Sequence, residues 1–273
     1  MPNRIASSRH PTRGVLALVA FGLLPLLLAA CQPAIDDSEE TLPTAWHEAR
    51  QMVLVTSDGW DATAGTMQRY ERDAEDAQWR EVGASTPVML GRNGTAWGLG
   101  LHPAQADGPQ KQEGDGRAPA GVFSIGIAFG YGEMAETGLA YAPMDIDDWC
   151  IDVNESPLYN RIVSTRDVGE AAIEGSTEPM RRDLHADGDV RYKLGFVIDH
   201  NPQAIPGGGS CIFAHLWRQP GETTAGCTAM EEPAMLELLA WLDPGRKPVF
   251  VVLPDDQQQR LAASWNLPHP AAH

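Results

Sequence analysis

Short apolar segments separated by Gly, Asn, Asp and Pro dominate the chain after its first 45 residues. Apolar segments that turn residues bound on both sides are typical of β-strands. The pattern predicts strands at residues 52–56, 86–91, 96–101, 122–125, 192–198, 211–217 and 249–253. Gly91-Arg92-Asn93-Gly94 lies between two of these segments and predicts a hairpin turn.

One stretch of this region has a clear helical period. In residues 231–245, EEPAMLELLAWLDPG, Pro233 falls in the first turn and Asp243-Pro244-Gly245 ends the helix. Four apolar side chains are predicted to share one helical face: Met235, Leu236, Leu239 and Leu242. Many short strands with one or two short helices predict a mainly β domain.

Residues 1–30 have the features of an export signal. A basic start with Arg4, Arg9 and Arg13 precedes a nearly unbroken apolar run over 15–30. Gly22 and Pro25 interrupt that run, which is short for a membrane span, so it predicts a cleaved signal peptide. We expect a flexible acidic tether over 31–45, one domain over 46–255, and a polar C-terminal tail over 256–273.

The end of the signal, Leu28-Ala29-Ala30-Cys31, resembles the lipobox of bacterial lipoproteins, in which the cysteine is acylated and the preceding segment is removed. The resemblance implies that Cys31 is the first mature residue and carries a lipid anchor in a membrane. Gln32 after the cysteine favours the outer membrane, with the domain facing the periplasm. The alternative is an ordinary secreted protein in which Cys31 has no such role.

The chain is strongly acidic, with a formal net charge of −17. Removal of the signal would leave 17 basic against 37 acidic residues, a net charge of −20. A surface of that sign repels polyanions, so nucleic acid is not an expected partner.

Cysteine usage points to one disulfide and one free thiol. If Cys31 is lipidated, Cys150, Cys211 and Cys227 remain, and an odd number in an exported protein leaves one unpaired. The economical pairing joins Cys150 to Cys211 and keeps Cys227 free. Three buried free thiols are the alternative.

The stretch HLWRQPGETTAGCTAM, residues 215–230, is the candidate site. A cysteine is a nucleophile only as thiolate, so Cys227 needs a base, and His215 at the end of a predicted strand can supply one. Gly226 permits backbone N–H groups to converge on an oxyanion, and Thr224 can fix the loop. The helix expected to begin near Glu231 would favour the thiolate through its dipole. A Cys/His pair alone more often reflects packing than catalysis.

His215, the loop Thr224-Ala225-Gly226-Cys227 and Met230 together resemble the signature of the L,D-transpeptidase (YkuD-type) catalytic domain. The upstream segment GDGRAPAGVFSIG, residues 114–126, resembles the Gly/Pro element of the same family. The resemblance extends over about residues 53–253. Three positions depart from the family pattern: Leu216, Ala225 and Ala229. Ala229 replaces a common arginine that could hold a substrate carboxylate. The resemblance therefore supports the family's reaction type more firmly than its substrate.

The resemblance implies a β-sandwich or barrel-type domain in which Cys227 is the nucleophile and His215 the proton acceptor and donor. The backbones of Gly226 and Cys227 would form the oxyanion site. The implied reaction is acyl transfer from peptidoglycan stem tetrapeptides through a thioester, with release of D-alanine, and carbapenems would be expected to acylate Cys227. No metal or organic cofactor is expected, and we expect a monomer. Two alternatives remain: an L,D-carboxypeptidase that uses water, and a non-catalytic peptidoglycan-binding lipoprotein.

A histidine and an asparagine beyond the motif are further candidate site residues. His200 and Asn201 follow a predicted strand, so they could orient His215 or contact substrate, although we favour a solvent-exposed loop histidine.

Five acidic residues look at first like a calcium site: Asp145, Asp147, Asp148, Asp152 and Glu155. They lack the Gly and the spaced Glu of an EF-hand, so we favour a solvated or substrate-facing acidic loop. His102, His185 and the Cys211/His215 spacing do not suggest a zinc site.

Overall fold

The computed structural model describes residues 44–180, 183 and 188–268 of the chain. The predicted signal peptide, Cys31, residues 31–43 of the tether and His185 lie outside these residues. Within them, no helix is both long and apolar enough to cross a membrane.

The described residues form short strands and few helices, as the spacing of apolar segments predicts. The strands are β1 Gln51–Ser57, β2 Ala64–Glu71, β3 Arg80–Met89, β4 Thr95–Trp97, β5 Ala118–Gly130, β6 Tyr141–Pro143, β7 Asp148–Cys150, β8 Ile162–Ser164, β9 Glu178–Pro179, β10 Leu194–Ile198, β11 Phe213–Leu216, β12 Thr228–Met230 and β13 Val249–Pro254. The α-helices are α1 Thr165–Val168, α2 Glu232–Trp241 and α3 Asp255–Leu261.

Eight of the strands close into a ring in the order β10-β11-β12-β3-β2-β1-β13-β5, and β5 pairs back onto β10. β5 closes the ring because it is 13 residues long. Its residues 121–124 pair with β13, and its residues 125–130 pair with β10. β4 and β6 run parallel to the two ends of β5. The prediction of a mainly β, barrel-type domain is confirmed.

Both faces of β1 and β13 are buried, which explains the continuous apolar run over residues 52–55 of β1 and the fully apolar sequence of β13. On β1, Val53 and Val55 belong to one hydrophobic cluster together with Phe250 of β13. The alternate residues Met52 and Leu54 belong to a second cluster. Successive side chains of a strand point to opposite faces, so a strand buried on both faces has no polar alternation.

Helix α2 forms where predicted, but one of its core residues differs. Met235, Leu238 and Leu239 are buried, as is Leu242 just beyond the helix, whereas Leu236 is 49% exposed. At about 100° per residue, the four buried side chains lie within an arc of about 100°, and Leu236 lies about 60° beyond its edge. The inclusion of Leu236 in the buried face was therefore wrong.

The C-terminal segment is more than a polar tail. Residues 255–261 form α3, and Leu261, Trp265 and Leu267 are buried in the second hydrophobic cluster. Trp46 donates from its indole Nε1 to the carbonyl of Trp265 at 3.3 Å. The described part of the segment predicted as a tail, up to residue 268, therefore belongs to the domain.

The Gly91–Gly94 turn exists, but it does not connect a hairpin. Gly94 donates its N–H to Gly91 O at 2.8 Å. β3 pairs with β2 and β12, however, and β4 pairs with β5. The turn instead contacts the candidate loop, since Arg92 donates its N–H to Thr224 O at 2.9 Å.

A small separate sheet, β8-β7-β9, is joined to the ring by a disulfide between Cys150 and Cys211. Its acidic residues are mostly paired rather than solvated. Arg166 forms ion pairs with Asp145 and Asp147. Asp152 accepts hydrogen bonds from Ser176 and Thr177. The carboxylates thus stabilise the turns of the small sheet. Glu155 is exposed and Asp152 lines a cavity that Cys227 also lines, so the solvated or substrate-facing acidic loop stays a prediction.

Candidate active site

Cys227 lies at the end of the loop that precedes β12, and its side chain is buried. The residue is 7% exposed. Its Sγ accepts a hydrogen bond from Phe213 N at 3.3 Å and donates to Cys211 O at 3.5 Å. Among the described residues it is the cysteine outside the disulfide. The thiol is thus held between two backbone groups at the start of β11.

Thr224 fixes the loop that presents Cys227. Its Oγ1 accepts a hydrogen bond from Gly226 N at 3.1 Å and donates to Cys227 O at 2.6 Å. Its own N–H donates to Leu90 O at 2.9 Å. One threonine therefore ties the loop to itself and to the end of β3.

Gly226 is required by a close approach. A Cβ on Gly226 would lie 3.0 Å from Arg117 O, a residue of the upstream Gly/Pro segment. The Gly226 N–H is already bonded to Thr224, whereas the expected role was a donor to an oxyanion. Of the two backbones assigned to the oxyanion site, this leaves the N–H of Cys227 as the candidate donor. Ala225 lies exposed beside it.

His215 lies on β11, the strand next to β12, and is 5% exposed. Its Nδ1 donates to Leu216 O at 2.8 Å, which fixes the tautomer and leaves Nε2 unprotonated. Burial lowers the pKa of His215 to about 4. The imidazole is therefore neutral at pH 7 and able to accept a proton.

His215 and Cys227 line the same cavity. Both hydrogen bonds of the Cys227 Sγ go to backbone groups, and neither goes to His215. A thiol has one proton, so transfer to the imidazole requires that the thiol turn away from Cys211 O. Catalytic hydrogen bonds are often looser without substrate and tighten when it binds.

Two residues that the sequence did not reveal, Glu178 and Tyr192, complete this cavity. The Tyr192 ring packs edge-on against His215, with centroids 5.5 Å apart. Its hydroxyl donates to the Glu178 carboxylate. Burial raises the pKa of Glu178 to about 7. Tyr192 begins a predicted strand, but no pattern in the sequence marks Glu178.

The thiol of Cys227 is strongly disfavoured as an anion. Burial raises the pKa of Cys227 to about 12, and the negative charge of Glu178 acts in the same direction. The N–H of Phe213 opposes both effects. The helix dipole expected to assist does not reach the thiol, because β12 separates Cys227 from α2 by about 10 Å of strand.

Two arginines lie near the position where Ala229 departs from the family pattern. Ala229 is buried in β12 directly opposite His215. Arg191 and Arg218 line the same cavity. Each already has an acidic partner, because Arg191 bonds Asp189 at 2.6 Å and Arg218 bonds Glu222. The cavity therefore contains cations beside carboxylates that balance them.

His200 and Asn201 are structural. His200 is 2% exposed, accepts Leu99 N at Nδ1 and donates from Nε2 to Gly208 O at 2.9 Å. Asn201 donates to the carbonyls of Ile205 and Gly209. Both ring nitrogens of His200 are used by backbone groups, so it neither faces solvent nor orients His215. The two residues hold the glycine-rich loop over 202–209.

Over residues 44–180, 183 and 188–268, no group of three or more His, Cys, Asp or Glu side chains could hold a metal ion.

A family model described as YkuD, the L,D-transpeptidase catalytic domain, matches residues 60–251, which is well over half of the chain. The match includes the upstream segment 114–126, His215 and the Thr224–Cys227 loop. No curated protein and no solved structure matches the chain.

Proposed function

The chain belongs to the family of L,D-transpeptidase catalytic domains, and from that premise we propose that it is a cysteine acyltransferase of peptidoglycan stem peptides. The observation that carries the proposal is one cavity lined by both Cys227 and the neutral His215. Cys227 would be the nucleophile and His215 the base and acid. The backbone N–H of Cys227 would stabilise the oxyanion.

The first step begins from a neutral pair. His215 Nε2 takes the proton of the Cys227 thiol as Sγ attacks the carbonyl carbon of the third stem residue. The C–N bond to D-alanine then breaks, and the imidazolium returns the proton to the leaving amine. A thioester on Cys227 and a neutral His215 remain. Because the thiol pKa is about 12, proton transfer and attack must be closely coupled.

The second step resolves the thioester. An incoming amine attacks the acyl carbon, His215 takes its proton, and the thiol leaves protonated. Water in place of the amine would make the protein an L,D-carboxypeptidase. The occupied Gly226 N–H and the absent arginine at position 229 are the observations that favour the remaining candidate, a non-catalytic peptidoglycan-binding protein.

Disaccharide-tetrapeptide is the test substrate, with products read by mass. Release of D-alanine with a cross-linked dimer supports the acyltransferase, release alone supports the hydrolase, and no turnover supports the binder. We expect Cys227→Ala to abolish release because no other thiol lies in the cavity among the described residues. Ser156→Ala, in the loop between β7 and β8, is the matched control and should retain turnover because Ser156 does not line the cavity.

Unchanged turnover in Cys227→Ala would contradict the assigned nucleophile. A carbapenem provides an independent measurement, since the expected mass adduct should map to the peptide containing Cys227. An adduct on another residue would count against the same assignment.

We also propose that Cys31 is lipidated and anchors the domain at the outer membrane, facing the periplasm. The support is the lipobox-like Leu28-Ala29-Ala30-Cys31 and the following Gln32. Mass analysis of the mature N-terminus should show an acylated cysteine, and fractionation should place the protein with the outer membrane. An unmodified N-terminus at another residue would refute the anchor.

A further inference from the structure

We propose that Glu178 is a positioning residue of the Cys227 site. It holds the Tyr192 ring against His215 through the Tyr192 hydroxyl, and its charge controls how readily Cys227 ionises. The inference rests on the proposed function for its catalytic meaning, but its effect on the thiol can be measured without substrate. Glu178 lies outside the motif segments, on a strand that contributes no other residue to the cavity.

Glu178 fixes the Tyr192 ring against His215. Tyr192 is 3% exposed and packs edge-on against both His215 and Phe213. Its hydroxyl donates to the Glu178 carboxylate. A buried hydroxyl without an acceptor would lose a hydrogen bond, so Glu178 fixes the ring that forms one wall for the imidazole.

The small sheet places Glu178 there. β9 pairs with β7 so that Glu178 lies opposite Cys150. Cys150 is joined by the disulfide to Cys211, whose carbonyl accepts the Cys227 thiol. Glu178 also lines two cavities that meet at Cys227. The carboxyl and the thiol are thus positioned through the same covalent link.

The charge of Glu178 acts on the Cys227 thiol. The charged groups acting on Glu178 are Arg191, Asp152 and Asp189. Cys227 is influenced by Glu178, Lys111 and Arg191. The charges acting most on His215 are those of Arg191, Asp189 and Glu222. Ionised Glu178 therefore opposes the Cys227 thiolate more than it favours the His215 imidazolium.

The charge state of Glu178 determines in which direction it changes the ionisation of Cys227. Below pH 7 Glu178 is protonated and exerts no charge on the thiol. Above pH 7 it is ionised and suppresses the thiolate. A neutral amide at the same position keeps an acceptor for the Tyr192 hydroxyl and removes the charge. Glu178→Gln therefore separates the electrostatic role from the positioning role.

The experiment measures alkylation of Cys227 by iodoacetamide as a function of pH, with the modified residue located by peptide mapping. Glu178→Gln should react at the parent rate near pH 5.5 and about three- to tenfold faster above pH 8, since one pKa unit is a tenfold change. Glu174→Gln is the matched control, because this exposed carboxylate precedes β9 and does not line the cavity. Its rate ratio to the parent should stay near one at every pH.

Turnover tests the positioning role. Glu178→Ala removes the acceptor, so kcat should fall about tenfold or more with a smaller change in KM, whereas Glu178→Gln should largely restore kcat. A thermal midpoint and a count of one reactive thiol among Cys150, Cys211 and Cys227 establish that each variant is folded with its disulfide intact.

A ratio of Glu178→Gln to parent alkylation that is constant with pH would overturn the electrostatic role. Equal kcat for Glu178→Ala and Glu178→Gln would overturn the positioning role. If the parent itself shows no turnover, the proposed function fails, but the alkylation profile still decides whether Glu178 controls the thiol.

Discussion

At the scale of single residues, the site keeps its two reacting groups neutral. Burial raises the pKa of the Cys227 thiol and lowers that of the His215 imidazole, so neither ion is favoured before substrate enters. An exposed thiolate would be open to oxidants and alkylating agents. Burial shields the thiol from such reagents, and in the proposed mechanism the thiolate forms as the proton moves to Nε2.

A pH dependence follows from the state of His215. Its lowered pKa keeps the base unprotonated down to about pH 4, so the acidic limb of kcat/KM for a stem tetrapeptide should lie at about pH 4 to 5. The pH profile of kcat/KM, measured with a buffer series of constant ionic strength, checks this. An acidic limb near the ordinary histidine pKa of about 6.5 would mean that the imidazole is solvated in the working enzyme.

At the scale of elements, the disulfide links the small sheet covalently to the strand that carries His215. Cys150 lies on β7 of the small sheet, and Cys211 immediately precedes β11, which carries His215. The small sheet supplies Glu178 to the cavity, and Asn160 from the same region donates to His200 O at 2.9 Å. The disulfide between Cys150 and Cys211 therefore supports the cavity wall to which Glu178 belongs, in addition to stabilising the fold.

The double variant Cys150→Ser/Cys211→Ser should lower the free energy of unfolding by about 4 kcal/mol, because the closed loop spans 61 residues. Urea unfolding followed by tryptophan fluorescence measures the change. Addition of a reductant should destabilise the parent by a similar amount and leave the double variant unchanged. A reductant effect of equal size in both proteins would show that it acts elsewhere.

The elements were predictable in proportion to how completely they are buried. β13 is apolar throughout, β1 has an apolar centre over residues 52–55, and both lie within one residue of their predicted bounds. β2, with sequence AGTMQRYE, buries only Met67 and Tyr70, so nothing in its pattern distinguished it from a loop. Cys227 and His215 were found because they lie in a contiguous motif. Glu178 reaches them only through strand pairing and a disulfide, which local sequence does not encode.

At the scale of the whole molecule, the two ends of the described domain pack together. Trp46, near the start, and Trp265, near the end, have ring centroids 5.4 Å apart, and both cover the cluster behind β1 and β13. The closed ring leaves these strands without a free edge, and the terminal tryptophans cover their second face. The C-terminal segment is thus part of the stable unit.

Trp265→Ala should lower the free energy of unfolding by about 3–5 kcal/mol, since the side chain is 4% exposed and truncation leaves a cavity. Chemical denaturation monitored by far-UV circular dichroism provides the measurement. Leu236→Ala is the control, because that side chain is 49% exposed and its loss should change stability by about 0.5 kcal/mol or less. Equal effects of the two substitutions would mean that the end of the chain is detached in solution.

The pairing of β1 with β13 has a consequence for folding. Met52 pairs with Val249, so the ring joins residues about 200 positions apart in the chain. The chain loses conformational entropy when a loop of this length closes, and the stabilising contacts between the strands form only afterwards. Folding is therefore expected to be slow. An emerging polypeptide cannot complete the ring until its last strand is available. The ring of strands that encloses the core can therefore close only after residues 249–254 have been synthesised.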